Sequence, residues 1–350
     1  MPSATSSDAR PAPQGGRGEG FAATVIMPVR NEGPHMRDSL EGVLAQDTSP
    51  DAFEVLVVDG MSTDQTRDVV REVMTRHPNV RLLDNPGRIV PTAMNVGIAE
   101  ARGEFIVRVD GHCVLEPMYI RNAVLALRNS GCQGVGGSMV ATGTGFWGEA
   151  IATATSTSFG VGNARFHYSD QEGDADTVYL GAYRRDYLRE IGGYDPRFVR
   201  NQDDELNYRI RAQGGRVYYT PKMRAIYQVR KSLPLLFRQY FQYGLWKMPM
   251  YRKTAHPVQP RHLAPSVFVV AWLAPLFLAP WAPAVLSVSA AALALHLAVG
   301  ALFALRTRPL RPSNLGMPVV FLTLHTAYGL GFLAGMLRGE GPAGRVGAAA

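Results

Sequence analysis

The sequence predicts an α/β domain of Rossmann-like organisation, followed by an amphipathic helix and C-terminal transmembrane helices. Between residues 22 and 140, short runs rich in Val, Ile and Leu alternate with stretches of helical periodicity. Residues 263–305 contain no Asp, Glu, Lys or Arg. The charge is divided as well, because residues 1–206 hold 19 basic and 28 acidic side chains, whereas residues 207–262 hold 12 basic ones and no acid. An acidic front domain is therefore followed by a basic segment and then by an apolar one.

The composition excludes several classes of protein. With 46% hydrophobic and 19% charged residues, the chain is too apolar to be disordered. Two cysteines are too few for a disulfide scaffold or a four-cysteine zinc site. The net charge of +7 is concentrated in one segment, so it does not indicate a nucleic-acid-binding protein. A basic segment beside an apolar one instead favours contact with an anionic membrane surface.

Nine elements are predicted in the front domain from the periodicity of buried strands and amphipathic helices. The predicted strands are Ala23–Val29, Glu54–Val58, Val80–Leu83, Glu104–Val109 and Gly134–Val140. The predicted helices are Pro34–Gln46, Asp64–Arg76, Pro91–Arg102 and Pro117–Asn129. Apolar strands that alternate with helices are typical of a parallel sheet with helices on both faces, whose ligands bind beyond the carboxyl ends of the strands. Asp59 and Asp110 follow such ends.

The chain is expected to divide into five parts. These are a disordered leader (residues 1–20), the α/β domain (21–228), a basic amphipathic interface segment (229–262), two or three transmembrane helices (263–338) and a tail (339–350). The uncharged run is about twice the ~20 residues that cross a bilayer as one helix. The leader lacks the apolar core of a signal peptide, and the basic loop 306–311 favours the cytoplasmic side. We therefore expect a multi-pass protein of the cell membrane with a cytoplasmic front domain.

Asp110 and His112 lie two residues apart at the end of the fourth predicted strand. Both side chains could bind one divalent cation, since a carboxylate suits Mg²⁺ or Mn²⁺ and an imidazole favours Mn²⁺ or a softer ion. The same spacing also occurs in ordinary turns. A metal site and a structural turn are therefore both consistent with this pattern.

Three consecutive acidic residues, Asp203, Asp204 and Glu205, open a further predicted helix. Acidic side chains in the first turn interact favourably with the helix dipole, which explains one of the three. Clustered carboxylates repel one another, and a carboxylate whose pKa is raised by its neighbours is suited to act as a general base. The cluster therefore predicts a catalytic base.

Two turns carry polar residues suited to a nucleotide. Asp59, which precedes Gly60, could accept hydrogen bonds from a base or from ribose hydroxyls, whereas Asp64 in the same turn is explained more simply as a helix cap. Arg88 stands just before a helix that begins at Pro91, where its guanidinium could bind phosphate. An exposed arginine in a loop explains this position equally well.

Singly these motifs are weak, but their order over residues 22–250 resembles that of family 2 glycosyltransferases. The segments that carry the resemblance are Val25–Glu32 (opening strand), Glu54–Thr66 (second strand and its turn, with Met61 inserted), Asn85–Gly97 (nucleotide pocket), Asp110–His112 (metal-binding D-x-D) and Gln202–Leu206 (the motif with the base). The sequence departs from these motifs at His112, which replaces the second Asp, and at Gln202, which replaces a Glu.

The resemblance implies a GT-A fold that binds a nucleotide sugar and catalyses an inverting transfer. It implies that a UDP-sugar is bound by Pro28, Arg30, Glu32, Asp59, Arg88 and Asp110. It also implies a divalent cation, Mg²⁺ or Mn²⁺, held by Asp110 and His112 against the two phosphates of the donor. Asp203 aligns with the catalytic base of the family, and Asp204 is its rival.

A narrower resemblance is to membrane-anchored glucosyltransferases that build succinoglycan-type exopolysaccharides on a lipid carrier. It rests on Asp110–His112, Asn201–Leu206, Arg238–Trp246 and the apolar C-terminal part. It implies transfer of glucose to a saccharide linked to polyprenyl diphosphate. The mixture of basic and apolar residues in 229–262 predicts an amphipathic helix at the membrane surface, and a solvated basic helix packed on the α/β domain explains it equally well. The Q-x-x-R-W motif of processive synthases is absent, so one sugar is expected per binding event. No nucleic-acid partner is expected.

Two other functions are consistent with parts of the sequence. A nucleotidyltransferase acting on sugar phosphates would also use a nucleotide-binding α/β domain with acidic metal ligands. It would, however, show a glycine-rich loop after the first strand, where residues 28–32 contain no glycine. A non-catalytic, membrane-anchored nucleotide-binding protein would leave the three acids at positions 203–205 unexplained.

Overall fold

The computed structural model describes residues 21–49, 52–254 and 260–338. The predicted leader and tail lie outside these residues. Within them, a mixed β-sheet with helices on both faces forms the front of the molecule, and four long helices form the rear. This division follows the change of composition along the sequence.

The described elements alternate as the sequence predicts. The strands are β1 (Ala23–Val29), β2 (Phe53–Asp59), β3 (Val80–Asp84), β4 (Phe105–Arg108), β5 (Val114–Leu115), β6 (Gly134–Thr142), β7 (Gly173–Asp174), β8 (Tyr179–Arg184) and β9 (Val217–Gln228). The helices are α1 (Gly33–Leu44), α2 (Thr66–Met74), α3 (Val90–Glu100), α4 (Tyr119–Ser130), α5 (Gly145–Thr155), α6 (Ser158–Val161), α7 (Arg185–Glu190), α8 (Gln202–Ala212), α9 (Leu233–Thr254), α10 (Pro260–Leu278), α11 (Leu286–Arg306) and α12 (Met317–Leu337). All nine predicted elements are present, and their ends agree with the prediction to within two residues.

The sheet has nine strands in the order β3-β2-β1-β4-β8-β6-β9-β5, with β7 paired to β9. β1 pairs in parallel with both β2 and β4, as predicted. The five predicted strands run in one direction, but the sheet is mixed because β8, which is not among them, runs antiparallel between β4 and β6. The periodicity of a strand predicts its burial but not its direction. The direction depends on whether the preceding segment ends at the same edge of the sheet where it began or at the opposite edge.

Two buried layers hold the sheet between its helices. Side chains alternate along β1, so Val25 and Met27 pack with residues of α1 and α2, whereas Ile26 packs on the other face with Met94 of α3 and Leu206 of α8. All residues of β1 and β2 are buried, which explains why both strands are continuous apolar runs in the sequence. This packing brings the carboxyl ends of the central strands and the start of α8 to one edge of the sheet.

The rear of the molecule contains helices with the length and composition of membrane spans. Pro283–Arg306 and Pro312–Leu337 are long and apolar enough to cross a membrane, and His262–Leu278 is a shorter apolar helix. They correspond to the two or three spans predicted from the sequence. α9, the predicted amphipathic helix, is continuous and packs along α12. Its location at a membrane surface stays a prediction.

Glycines allow the backbones of helices α9 and α12 to come into direct contact. A Cβ atom added to Gly244 of α9 would lie 2.2 Å from the carbonyl oxygen of Tyr328, and one added to Gly331 of α12 would lie 2.1 Å from that of Phe241. These distances leave no space for a side chain, as at membrane-helix contacts that are built on small residues. The helix that follows the α/β domain is therefore fixed to a candidate membrane span.

Replacing Gly331 by alanine should destabilise the protein, although alanine is the better helix former by about 1 kcal/mol. The added methyl group must separate α9 from α12, and overpacking of this kind costs about 1–3 kcal/mol. Gly42 of α1 is a matched control, because a Cβ atom added there would meet its nearest neighbour at 3.6 Å. Thermal unfolding in detergent should show a lower Tm for Gly331→Ala and an equal or higher Tm for Gly42→Ala. Equal shifts in the two variants would contradict the close packing.

Candidate active site

A cavity of about 1120 Å³ opens at the carboxyl ends of β1 and β4 and continues towards the rear helices. Most residues predicted from the sequence line it, namely Pro28, Arg30, Glu32, Arg88, Asp110, His112, Asp203 and Asp204. Asp59 is the exception, since its neighbour Gly60 lines the cavity and Asp59 itself lies beneath the surface. Segments that are far apart in the chain thus converge on one site.

Arg108, the last residue of β4, joins two of the predicted acids. Its Nε donates a hydrogen bond to Asp110 Oδ1 (2.9 Å) and its Nη1 donates one to Asp203 Oδ1 (2.6 Å), while only 5% of the residue is exposed. Burial opposes its charge, but the carboxylates outweigh that effect and raise the pKa of Arg108. This buried cation fixes the end of β4 to the first turn of α8. Sequence reasoning misses Arg108, whose one signal is a charge at the end of an apolar strand.

Asp203 and Asp204 are adjacent in the chain but differ in their surroundings. Burial raises the pKa of Asp203, although the nearby Arg108 opposes the shift. Asp204 Oδ2 forms an ion pair with Lys247 Nζ of α9 at 2.5 Å. Burial acts on Asp204 as well, but the ammonium group and a hydrogen bond from Thr177 together outweigh it and lower the pKa of Asp204. Asp203 is therefore the more basic carboxylate of the two.

Glu205 and Asn201 have structural roles at the start of α8. The Glu205 carboxylate is buried and pairs with Arg209, one turn further along the helix, at 2.7 Å. Glu205 is therefore the one of the three consecutive acids whose presence the structure of the helix explains. Asn201 precedes the helix with a φ of 58°, a left-handed conformation that Asn adopts more readily than most residues. After this turn, Asp203 and Asp204 both line the cavity.

Asp110, His112 and Cys113 offer ligand atoms that lie within 4.8 Å of one another. Burial raises the pKa of Cys113 to about 12, and its Sγ shares a hydrogen bond with the Tyr179 hydroxyl, so in the absence of a cation the thiol is protonated and already has a partner. His112 Nδ1 lies 3.1 Å from Glu32 Oε1, which orients the imidazole and leaves Nε2 available. A carboxylate oxygen and an imidazole nitrogen remain, and this pair fits a divalent cation.

Asp59 ends β2 and is fully buried. Its Oδ2 accepts hydrogen bonds from the Ser62 amide (3.0 Å) and from Arg67 Nη1 (2.7 Å). Its Oδ1 has no partner among the described residues. A buried carboxylate oxygen without a donor is unfavourable, and a donor on a ligand that lies against Gly60 would satisfy it.

Asp64 has the structural role predicted for it, although Gln65 is the residue that immediately precedes α2. Its carboxylate accepts hydrogen bonds from the backbone amides of Thr66 and Gly33, both at 3.0 Å. It thereby ties the turn after β2 to the start of α1.

Four exposed arginines line the cavity and form no ion pair with any other residue that the structure describes. They are Arg30, Arg88, Arg200 and Arg230. Arg30 and Arg88 line the cavity together with Pro28. Arg200 precedes α8 and Arg230 follows β9, and no sequence motif singles out either of them for a site. Together they give the cavity a positive rim that suits phosphate groups.

The family model for Glycosyl transferase family 2 matches residues 24–192 of this chain. The chain is similar to the succinoglycan biosynthesis protein ExoA of Rhizobium meliloti (strain 1021), with 31% identity over 277 residues that cover 76% of this chain and 84% of the relative. A second relative is the dolichyl N-acetyl-alpha-D-glucosaminyl phosphate 3-beta-D-2,3-diacetamido-2,3-dideoxy-beta-D-glucuronosyltransferase of Methanococcus voltae. It is 26% identical over 334 residues, which cover 91% of this chain and 98% of the relative.

Among solved structures, the fold is similar to that of a mannosyltransferase, PcManGT from Pyrobaculum calidifontis, in complex with GDP-Man and Mn²⁺. The TM-score is 0.57 with 23% sequence identity, over 88% of this chain and 86% of that chain. At this identity the likeness concerns the fold alone. The predicted fold class, an α/β domain of the GT-A type, is confirmed.

Replacing Arg108 with methionine should destabilise the α/β domain, because two carboxylates lose their common counter-charge. Removing one partner of a buried ion pair costs about 3–5 kcal/mol. Adding Asp203→Asn to Arg108→Met should recover part of this loss, since one uncompensated charge is then removed. Thermal unfolding of the wild type, both single variants and the double variant measures the coupling. Additive effects would contradict a shared network.

Proposed function

This chain belongs to glycosyl transferase family 2, and from that premise we propose an inverting enzyme that transfers glucose from UDP-glucose to a saccharide carried on polyprenyl diphosphate. The observation that supports the proposal most directly is the network of Arg108, which links Asp110 to Asp203 in one cavity wall. Asp110 belongs to the candidate cation site and Asp203 is the more basic of the two candidate acids. The network would thus hold a ligand of the cation and the carboxylate that accepts the proton in fixed positions, and a single displacement needs both groups.

The uridine of the donor would occupy the part of the cavity near Pro28 and Gly60. Asp59 lies beneath the surface beside Gly60, so the N3–H group of uracil would donate to its Oδ1, which has no partner among the described residues, only after this turn moves aside. The diphosphate would lie near Arg30 and Arg88, whose exposed guanidinium groups supply the opposite charge. The structural neighbour in complex with GDP-Man and Mn²⁺ also supports a nucleotide-sugar donor.

Asp110 and His112 would hold Mg²⁺ or Mn²⁺ at the donor. When bound, such a cation neutralises the charge that develops on the departing diphosphate. Glu32 would act indirectly, because it accepts from His112 Nδ1 and so keeps Nε2 free as a ligand. In this proposal Glu32 is a positioning residue and not a contact of the donor.

Asp203 would accept the proton of the acceptor hydroxyl. Arg108 bonds to Asp203 Oδ1, so Oδ2 is the oxygen left for that hydroxyl. Burial keeps this carboxylate more basic than Asp204, whose charge is engaged by Lys247. The hydroxyl oxygen attacks the anomeric carbon from the side opposite the diphosphate. The bond to the diphosphate breaks as the new bond forms, and the anomeric configuration inverts in one step.

Two observations support an acceptor that is held in a membrane. One relative is named as a succinoglycan biosynthesis protein, and the other as a transferase for a dolichyl N-acetyl-glucosaminyl phosphate. Two helices of this chain are also long and apolar enough to cross a membrane. In our proposal the α/β domain and the basic loop 306–311 lie on the cytoplasmic side, and residues 229–262 lie at the membrane surface.

Asp203→Asn should reduce transfer by about 10²- to 10⁴-fold, the range that general acid–base catalysis contributes. Membranes that contain the protein are incubated with radiolabelled UDP-sugars, Mn²⁺ and lipid extract, and the label in the lipid phase is counted. Asp204→Asn is the matched control, because it neutralises the adjacent acid in the same way. Its effect should be smaller, since Lys247 already engages that carboxylate.

Two outcomes would change these assignments. Loss of transfer in Asp204→Asn but not in Asp203→Asn would move the base by one residue. If the wild type left all label in the aqueous phase with every UDP-sugar, the proposed function would be rejected. Release of diphosphate in place of UDP would instead identify a nucleotidyltransferase.

His112→Asp should shift the metal preference of the reaction from Mn²⁺ towards Mg²⁺, because a carboxylate oxygen replaces an imidazole nitrogen. After treatment with EDTA, the rates measured with each ion give a Mg²⁺-to-Mn²⁺ ratio that should rise in this variant. Cys113→Ala tests the third group of this cluster in the same assay, and an unchanged ratio in that variant would leave Asp110 and His112 as the ligand pair. The same ratio in His112→Asp and the wild type would remove His112 from the cation site.

A further inference from the structure

The cavity at the strand ends continues between helices α10, α11 and α12. We call this inner part the membrane chamber, and its apolar lining includes Pro265, Phe268, Ala292, Leu295, Val299 and Leu324. α11 and α12 belong to the two candidate membrane spans. One continuous cavity therefore connects Asp203 with the apolar interior of the rear helices.

One face of α11 forms a wall of the membrane chamber. Ala292, Leu295, His296 and Val299 follow one another at spacings of three, one and three residues, so they lie on the same side of the helix. Ala298 is exposed and does not line the cavity. The wall is thus a hydrocarbon surface interrupted by one imidazole.

A chain of hydrogen bonds holds both candidate spans to the α/β domain beside the chamber. His325 Nε2 of α12 lies 2.8 Å from the Phe159 carbonyl oxygen of α6, which can only accept, so this nitrogen carries a proton. In the neutral ring, His325 Nδ1 then accepts from His296 Nε2 of α11 at 2.9 Å. Three elements are therefore fixed relative to one another around the chamber.

The chamber opens towards the outside of the helices. Leu295 lines it and is nevertheless 69% exposed, so one rim of the chamber lies at the helix surface. In a bilayer this surface faces lipid, which gives a hydrocarbon chain a lateral entrance. A hydrocarbon chain that enters from the bilayer passes from one apolar medium into another, so its transfer into the chamber carries no penalty for losing water.

We propose that the membrane chamber holds the hydrocarbon chain of the lipid acceptor and that the phosphate groups of this lipid lie at Arg200 and Arg230. The identity of the lipid rests on the proposed function, and the inference adds its binding site. Both arginines are exposed, line the same cavity as Asp203 and form no ion pair with another residue that the structure describes. An apolar chamber cannot solvate phosphate, whereas guanidinium groups bind it well.

This arrangement matches the three parts of a lipid-linked saccharide. The sugar hydroxyl is served by Asp203, the phosphates by the two arginines, and the hydrocarbon chain by the chamber. All three groups of residues line one cavity.

The test uses the full chain in lipid nanodiscs with undecaprenyl diphosphate that carries a photoreactive diazirine on its chain. After irradiation, mass spectrometry identifies the labelled peptides, and we expect label on chamber residues of α10, α11 or α12. Ala292→Phe fills the chamber and should reduce labelling about tenfold, which corresponds to about 1.4 kcal/mol of binding free energy. Ala298→Phe is the matched control on the same helix and should leave labelling unchanged.

Label confined to the outer helix faces, or an equal reduction in Ala292→Phe and Ala298→Phe, would overturn the proposal. If Ala292→Phe unfolds, as judged by its Tm, Val299→Trp repeats the test from the same wall. The two proposals can fail separately because this readout needs no sugar transfer. Label in the chamber without any transfer would reject the proposed function and retain a lipid site, whereas transfer without label in the chamber would reject the lipid site alone.

Discussion

The buried guanidinium of Arg108 is the constraint on which the candidate active site depends. A charge at the end of a central strand requires counter-charges, and the cavity wall supplies two, one directly after β4 and one at the start of α8. Asp110 and Asp203 are thus held by one group and cannot move independently of each other. Apolar contacts of Leu206 and Ile210 keep α8 on the sheet, while the ion pairs determine where its first turn lies. Geometry and charge of the site are therefore set together.

Local features of the fold follow from the sequence, whereas pairings between distant segments do not. β1, β2 and β4 are recognisable because full burial produces unbroken apolar runs, and the ends of β2 and β4 locate Asp59 and Asp110. The antiparallel β8 has no such signature, since direction is not encoded in periodicity. Arg108 and Asp203 are 95 residues apart, and Lys247 and Asp204 are 43 apart. No local pattern relates such pairs, so the sequence does not show that Asp203 and Asp204 have different partners.

Helix α9 belongs to both halves of the molecule. Its Lys247 pairs with Asp204 in the first turn of α8, and its Gly244 meets the backbone of α12. The helix that completes the cavity wall is thus packed against a candidate membrane span over much of its length. Because protein interiors are densely packed and transmit displacement, a shift of α12 would be felt at the acids of the site. The α/β domain and the rear helices therefore differ in composition, but both contribute to the same site.

The ion pair between Lys247 and Asp204 limits what a truncated form of this enzyme can show about its acid–base chemistry. A fragment that ended before Leu233 would keep the sheet, the Arg108 network and the residues on the donor side. It would lack the ammonium group that lowers the pKa of Asp204, so two neighbouring carboxylates would compete for one proton. The pH profile of such a fragment would describe a pair of acids that compete more strongly for a proton than in the intact chain, where Lys247 favours the ionised form of Asp204. Kinetic comparisons between truncated and intact forms would then compare two different acid–base systems.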